Sequence, residues 1–258
     1  SMTGDVDPAA VRGAFNKLIE RHDILRARFD LVKGEPVMVF QKEIDFNLDV
    51  YDVRHKPDQV NQLIGQFVRP FDFSEAPLLR AALVKVSADE TVLMFDTHHI
   101  VSDGTSMSLL TRDLQAFYEN GGAHLPPLRT GYRDFVVWND RGDGKREIEK
   151  SEKFWLELYR TIPPEPGFYT DFPRSDVQGF DGGAVSFSMD PQLANRAMDL
   201  VNETGSTLYI LLLAVYGILL AKFSGQEDIV VGTPVAGREH TDFANIIGLF
   251  INTLPMRT

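Results

Sequence analysis

The sequence predicts an α/β sandwich built in two unequal parts. Three observations point there. Apolar residues recur at helical spacing in some segments and alternate strictly in others, so helices and hairpins are mixed along the chain. A hydrophobic share of 43% over 258 residues is ample for a packed core. Between Pro163 and Gly183, four prolines and four glycines crowd a weakly periodic stretch, which marks the boundary between the parts.

Each element follows from its local pattern. Asp7 is a good N-cap and Pro8 suits a first turn, and Val11, Phe15, Leu18, Ile19 and His22 keep helical spacing, so a helix runs from Pro8 to about Arg21. Leu25, Ala27, Phe29 and Leu31 alternate with Arg26, Arg28 and Asp30, the pattern of a half-buried strand. Gly34 and Pro36 turn it into a hairpin with Pro36–Gln41, and a further strand alternates through Ile44, Phe46, Leu48 and Val50. Val60, Leu63, Ile64 and Phe67 predict a second amphipathic helix. Two apolar strands follow at Leu78–Val86 and Thr91–Thr97, the second running into His98-His99. A helix after Ser106 turns Met107, Leu110, Leu114 and Phe117 inward, and Asn120-Gly121-Gly122 ends it. Leu125–Leu128 is a connector, and another helix spans about Glu147–Tyr159.

Beyond the boundary come a strand at Ala184–Met189, a helix near Pro191–Thr204, and strands at Ile229–Pro234 and Gly248–Pro255. The most apolar stretch, Leu208–Phe223, is shorter than the roughly 20 residues that span a bilayer. It therefore reads as a buried core helix.

Charge and cysteine usage exclude several functions. With Lys+Arg 26 against Asp+Glu 37 the net charge is −11, and no basic stripe offers phosphate contacts. Nucleic acid is not the expected partner. The absence of cysteine removes disulfides, zinc–thiolate sites and a thiol nucleophile, and a cysteine-free acidic chain reads as cytoplasmic. The start carries Asp5 and Asp7 where a signal peptide would be basic and apolar, and Ser1-Met2 read as a cloning remnant.

Thr97–Ser106, THHIVSDGTS, is the segment most suited to chemistry. Two histidines end an apolar strand, and an Asp-Gly turn follows before a helix. Histidine titrates near ~6.5, so a strand-end imidazole suits proton transfer. The plain alternative is a histidine pair with ordinary hydrogen bonds. A metal site is not expected, because adjacent strand residues point to opposite faces and no acidic ligand set completes one. There is no G-x-S-x-G elbow, no Gly-Lys-Ser/Thr phosphate loop and no G-x-G-x-x-G after a strand. Gly142-Asp143-Gly144-Lys145 reads as an exposed turn, and the sequon Asn202-Glu203-Thr204 as accidental.

At His98-His99-Ile100-Val101-Ser102-Asp103-Gly104 the chain resembles the HHxxxDG motif of nonribosomal peptide synthetase condensation domains. Three more matches follow in the family's order. Arg21–Phe29 (RHDILRARF) is similar to RHExLRTxF, Tyr132–Trp138 (YRDFVVW) to YxDFAVW, and Ile247–Arg257 (IGLFINTLPMR) to IGxFVNTxxxR. Together they span nearly the whole chain.

The resemblance implies two chloramphenicol-acetyltransferase-like lobes, each an α/β two-layer sandwich. Residues 1–165 would form the N-terminal lobe, nearly complete with its first strand missing. Residues 166–183 would be a linker, and 184–258 the beginning of a truncated C-terminal lobe. It implies peptide-bond formation between a donor aminoacyl or peptidyl thioester and the α-amine of an acceptor aminoacyl thioester. Both would ride on phosphopantetheine arms brought by donor and acceptor peptidyl carrier proteins, with an adenylation domain adjacent and no cofactor bound to the domain itself. His99, with His98, Asp103 and Gly104, would carry the site. His99 would accept the amine proton or orient the amine. Ser102, Thr105, Ser106 and Asn252 would line the substrate channel. Asp103 would face away from the imidazole, in a structural ion pair with Arg21. Ser102 before Asp103 is similar to the subtype joining two L-residues.

The family's earlier Ser-x-Ala-Gln stretch and its later segments are not in this sequence. The chain therefore reads as an internal fragment of a larger synthetase, expected to be inactive alone, with no membrane partner. A stand-alone HxxxDG acyltransferase using a CoA or carrier thioester shares the motif core. A carrier-docking module without chemistry is the remaining alternative.

Overall fold

The computed structural model describes all residues except 56–58, 142, 166, 168, 169, 174, 178, 180 and 181. The chain divides into two compact units. One comprises Ser1–Glu149 with Val235–Asn252, the other Lys150–Pro234 with Thr253–Thr258. Within the expected linker at 166–183, residues 166, 168, 169, 174, 178, 180 and 181 lie outside the described residues.

The first unit opens with a short strand β1 (Met2–Thr3), followed by helix α1 (Pro8–Arg21). The Asp7 carboxylate caps α1 by accepting from the Ala9 N–H at 2.9 Å, as its sequence position predicts. Asp23–Arg26 make one 3₁₀ turn before the hairpin of β2 (Ala27–Val32) and β3 (Glu35–Phe40). Its two-residue loop places Lys33 and Gly34 at φ 55° and 84°, the left-handed pair that matches strand twist.

The strand expected from Ile44 forms only as β4 (Leu48–Asp52). Phe46 leaves the alternation to stack on Phe15 of α1, with ring centroids 4.8 Å apart. Helix α2 (Gln59–Phe67) follows, then β5 (Leu79–Lys85) and β6 (Glu90–Thr97). The sheet order is β1-β6-β5-β4, with β4 parallel to β5 and the other pairs antiparallel. Helix α3 (Gly104–Asn120) ends on Gly121 at φ 70°, the left-handed cap the Gly-Gly pair predicts. Phe15, Leu18, Leu83 and Leu110 are fully buried between α1, α3 and the sheet.

Helix α4 (Tyr132–Arg141) is the segment of the aromatic motif, and α5 spans Asp143–Leu158. Asp143–Lys145, expected as part of an exposed turn, are instead the start of α5, while Gly142 lies outside the described residues. The helix formers from Lys145 onward carry the helix back over the Asp-Gly pair.

Residues 235–252 return to the first unit and fill its core with Phe243, Ile246, Ile247 and Phe250, all at most 4% exposed. Phe135 packs on Phe250 at 4.4 Å and on Phe243 at 5.3 Å, and Trp138 on Phe243 at 5.3 Å.

In the second unit, helices α6 (Pro191–Thr204) and α7 (Leu208–Ser224) precede the paired strands β7 (Val230–Val235) and β8 (Asn252–Arg257). Arg257 joins Asp228 through two hydrogen bonds of 2.8 and 2.7 Å and also holds the carbonyls of Leu158 and Thr161. Two expectations fail here. Ala184–Met189 pair with no described strand and stand exposed, since alternation predicts a strand only where a neighbour pairs with it. Helix α7, expected in the core, has no buried residue. Apolarity all round a helix says that it avoids water, and burial still needs an element to lie over it. No single described helix is long and apolar enough to cross a membrane.

Candidate active site

Strand β6 delivers the histidine pair. The His98 N–H donates to the Leu78 carbonyl at 3.0 Å, so sheet pairing holds up to that residue. The chain then folds into a 3₁₀ turn at His99–Val101. His98 caps that turn, its Nδ1 accepting from the Ile100 N–H at 3.1 Å, which leaves the ring proton on Nε2. The ring meets the edge of Phe73 at 4.7 Å. His98 Nδ1 is thereby tied to the turn it caps. His99 stands exposed on the turn, and neither ring nitrogen is bonded by a described residue.

Asp103 is buried, and α3 begins with it as N-cap, earlier than the expected start after Ser106. Its Oδ1 accepts from the Ser106 N–H at 2.7 Å and its Oδ2 from the Phe250 N–H at 3.0 Å. Arg238 donates to Oδ1 at 3.2 Å, and the two side chains are 7% and 3% exposed. Burial pushes the carboxyl pKa up. The Ser106 and Phe250 amides and the Arg238 charge outweigh it and hold the group below the ordinary carboxylate range.

Arg238 is the hub of this arrangement. It also donates to the Ser106 hydroxyl at 2.8 Å and to the carbonyls of Phe243 and Ile246 at 2.8 and 2.6 Å. Its guanidinium lies 3.9 Å over the Phe250 ring. The Ser106 hydroxyl donates to the Gly248 carbonyl at 2.7 Å and accepts from its N–H at 3.0 Å. The start of α3 is thus stitched to the returning segment.

The expected ion pair between Arg21 and Asp103 does not form. Arg21 Nε donates to Asp113 Oδ2 at 2.9 Å. Asp113 lies ten residues further along α3, roughly 15 Å at 1.5 Å per residue, so one arginine cannot reach both carboxylates. The channel assignments change too. Ser102 and Ser106 are 4% and 0% exposed, so neither presents its hydroxyl to a substrate. Thr105 is exposed, and Asn252 is exposed at the start of β8. Gly104 is not in the left-handed region, contrary to its expected role in a tight turn. A Cβ added there would meet nothing within 4 Å, so its small size leaves open space at the helix start.

The remaining motifs serve the scaffold. Asp23 accepts from the N–H groups of Tyr132 and Arg133 at 2.9 and 3.2 Å, joining the first motif to the start of α4. The Tyr132 hydroxyl donates to the Leu249 carbonyl at 2.8 Å. His22, 1% exposed, donates from Nε2 to Asp113 at 2.9 Å and accepts at Nδ1 from the Ile247 N–H at 3.4 Å. Burial lowers its pKa more than Asp113 raises it, so the folded protein holds a neutral ring. Below about pH 6.5 the unfolded chain binds a proton that the folded one refuses. Stability is therefore expected to fall as pH drops from that value towards the folded pKa. Denaturation curves between pH 5 and 8 check this, with His22→Gln losing that slope.

A hollow of about 600 Å³ adjoins the histidines. The segment of Val68, Arg69, Pro70, Phe71 and Phe73 and the strand end of Asp96, Thr97, His98 and His99 line it. Among the described residues no group of three or more histidine or carboxylate side chains is placed to hold a metal ion.

The α/β scaffold thus carries a strand-end histidine turn leading into an Asp-capped helix, the arrangement the condensation-domain resemblance implies. The chain belongs to the condensation-domain family, whose model, described as Condensation domain, matches residues 1–258. Gramicidin S synthase 2 of Aneurinibacillus migulanus is 44% identical over 254 residues, which are 98% of this chain and 6% of that protein. Bacitracin synthase 3 of Bacillus licheniformis is 44% identical over 256 residues, 99% of this chain and 4% of that one. The chain thus spans a small part of these relatives.

Among solved structures, the X-domain from teicoplanin biosynthesis has a TM-score of 0.87 at 26% identity, covering 100% of this chain and 59% of that one. The epimerization domain from the third module of tyrocidine synthetase B has a TM-score of 0.84 at 22% identity, covering 98% and 60%, and shares the fold. The expectation of a nonribosomal peptide synthetase condensation domain is met.

Proposed function

We propose that this domain joins a donor aminoacyl or peptidyl thioester to the α-amine of an acceptor aminoacyl thioester. Each substrate hangs on the phosphopantetheine arm of a carrier protein, and an adenylation domain works beside them. The acceptor amine attacks the thioester carbonyl, the C–N bond forms, the C–S bond breaks, and the amine's proton ends on the departing thiol. His99 takes that proton or holds the amine in line for attack. Ser102 before Asp103 supports L-configured partners on both sides.

One observation carries the reading. His99 is left exposed, with no described hydrogen-bond partner, on a turn where His98 Nδ1 and the Asp103 carboxylate are held by backbone amides. An imidazole so placed is available to a substrate amine.

The test uses the intact domain with its two carrier proteins, loaded with L-aminoacyl groups. A dipeptide on the acceptor carrier, seen by mass spectrometry, is the expected product, and D-configured donors should react poorly. Equal product when the donor is a free acyl-CoA would indicate a stand-alone acyltransferase. Carrier binding without product would indicate a docking module.

A further inference from the structure

The hollow beside His99 is apolar on one side and open to water there. Val68 and Phe73 are 65% and 42% exposed. Apolar surface left wet next to a reactive group marks a contact site more often than an accident. Its volume of about 600 Å³ lies within the roughly 300–1,000 Å³ usual for small-molecule sites.

The wall is held in place by Arg80 of β5. That arginine donates to the carbonyls of Phe67 and Arg69, and its guanidinium lies 3.7 Å over the Phe71 ring. The hollow is therefore preformed and needs no loop movement to accept a group. Arg80 also fixes the charge balance. Its Nε is 3.1 Å from Asp96 Oδ2, directly across the strand pair, so the acid inside the hollow is neutralised. What the space offers is an aliphatic wall, aromatic edges at Phe71 and Phe73, the Asp96–Arg80 pair, and the exposed Arg69 at its rim.

We propose that this hollow receives the aromatic or branched aliphatic side chain of an aminoacyl thioester reacting at His99, with Val68 setting specificity. The inference rests on the peptide-bond-forming reading above. A neutral apolar group complements the wall, whereas a cationic one would be desolvated against it beside the like charge of Arg69. His98 and His99 line the same space, so an occupant of the hollow sits beside the reacting group. Both the donor and the acceptor carry such a group, so the assay varies them separately.

The experiment uses the intact domain with two carriers bearing alanyl, leucyl or phenylalanyl phosphopantetheine, changed first on the donor and then on the acceptor. One methylene in an apolar site discriminates by roughly 10–200-fold. Leucyl or phenylalanyl should exceed alanyl by at least tenfold in kcat/KM in one arm, and that arm identifies the source. Val68→Asp should bring this ratio near one. Val68 is largely exposed, so the change spares the core, and a melting curve checks that. No preference in either arm, or a preference that survives Val68→Asp, overturns the proposal. Absence of product with every carrier pair overturns the reaction reading instead. The hollow is then judged by NMR titration with leucyl- and alanyl-pantetheine amides. Tighter leucyl binding that Val68→Asp removes supports it, and equal binding overturns it.

Discussion

Replacing His99 with alanine in the intact domain is expected to slow dipeptide formation by about 10²–10⁴-fold, the usual contribution of a positioned acid–base group. The fold should be untouched, because the ring is exposed and no described residue bonds to it. Unfolding temperature and carrier binding should therefore match the wild type while turnover collapses. His98→Ala acts differently. It removes the cap of the His99–Val101 turn and the contact with Phe73, so both stability and rate should fall. Near-normal dipeptide release from the His99→Ala enzyme would remove His99 from the reaction.

Arg238→Ala carries the largest expected stability cost. It strands Asp103 as a buried carboxylate, and breaking a buried pair costs about 3–5 kcal/mol. In a chain of this size that corresponds to roughly 6–20 °C in melting temperature. The hydrogen bonds to Phe243 and Ile246 disappear with the same side chain. Asp103→Asn should cost less than Arg238→Ala, since the amide still accepts hydrogen bonds. The double variant should cost clearly less than the sum of the singles, whereas Arg21→Ala with Asp103→Asn should simply add. Strong coupling between Arg21 and Asp103 would overturn this pairing.

Acid supplies an independent check on Asp103. Its folded pKa lies below the ordinary value, so its contribution is present above about pH 3.9 and disappears as the pH falls through the folded pKa. The stability gap between wild type and Asp103→Asn should close in that range.

Much of this was legible in the residues. The Asp7 cap, the hairpin turn at Gly34 and the Gly121 helix end are local chemistry, settled within a few positions, although Pro36, read as part of that turn, lies in β3. The histidine turn stood out because two imidazoles at a strand end are chemically conspicuous. What could not be read was which side chains face each other across long separations. Asp103 and Arg238 are 135 positions apart, and Arg238 sits in no motif. Its one signal is a lone arginine between strand β7 and an apolar run, where burial demands a partner acid. The family pattern paired Arg21 with Asp103, whereas Arg21 at the end of α1 meets Asp113, ten residues beyond Asp103 along the chain. For α7, hydrophobicity reported an aversion to water and nothing about what lies alongside. The truncated strand at Ile44 shows the same limit, because alternation cannot tell a paired strand from an extended stretch that sends Phe46 into the core.

The return of residues 235–252 to the first unit has a consequence for synthesis on the ribosome. Translation delivers Glu149 long before the segment that completes the unit, and Asn252 follows 103 residues later. At roughly 5–20 residues per second that is a wait of about 5–20 s. Until then Phe135 and Trp138 lack the rings they pack against, and Asp103 lacks its counter-charge. The nascent chain thus presents a sticky aromatic face for seconds. Ribosome-bound chains stalled near residue 200 should recruit chaperones that chains extended well past residue 252 have already released.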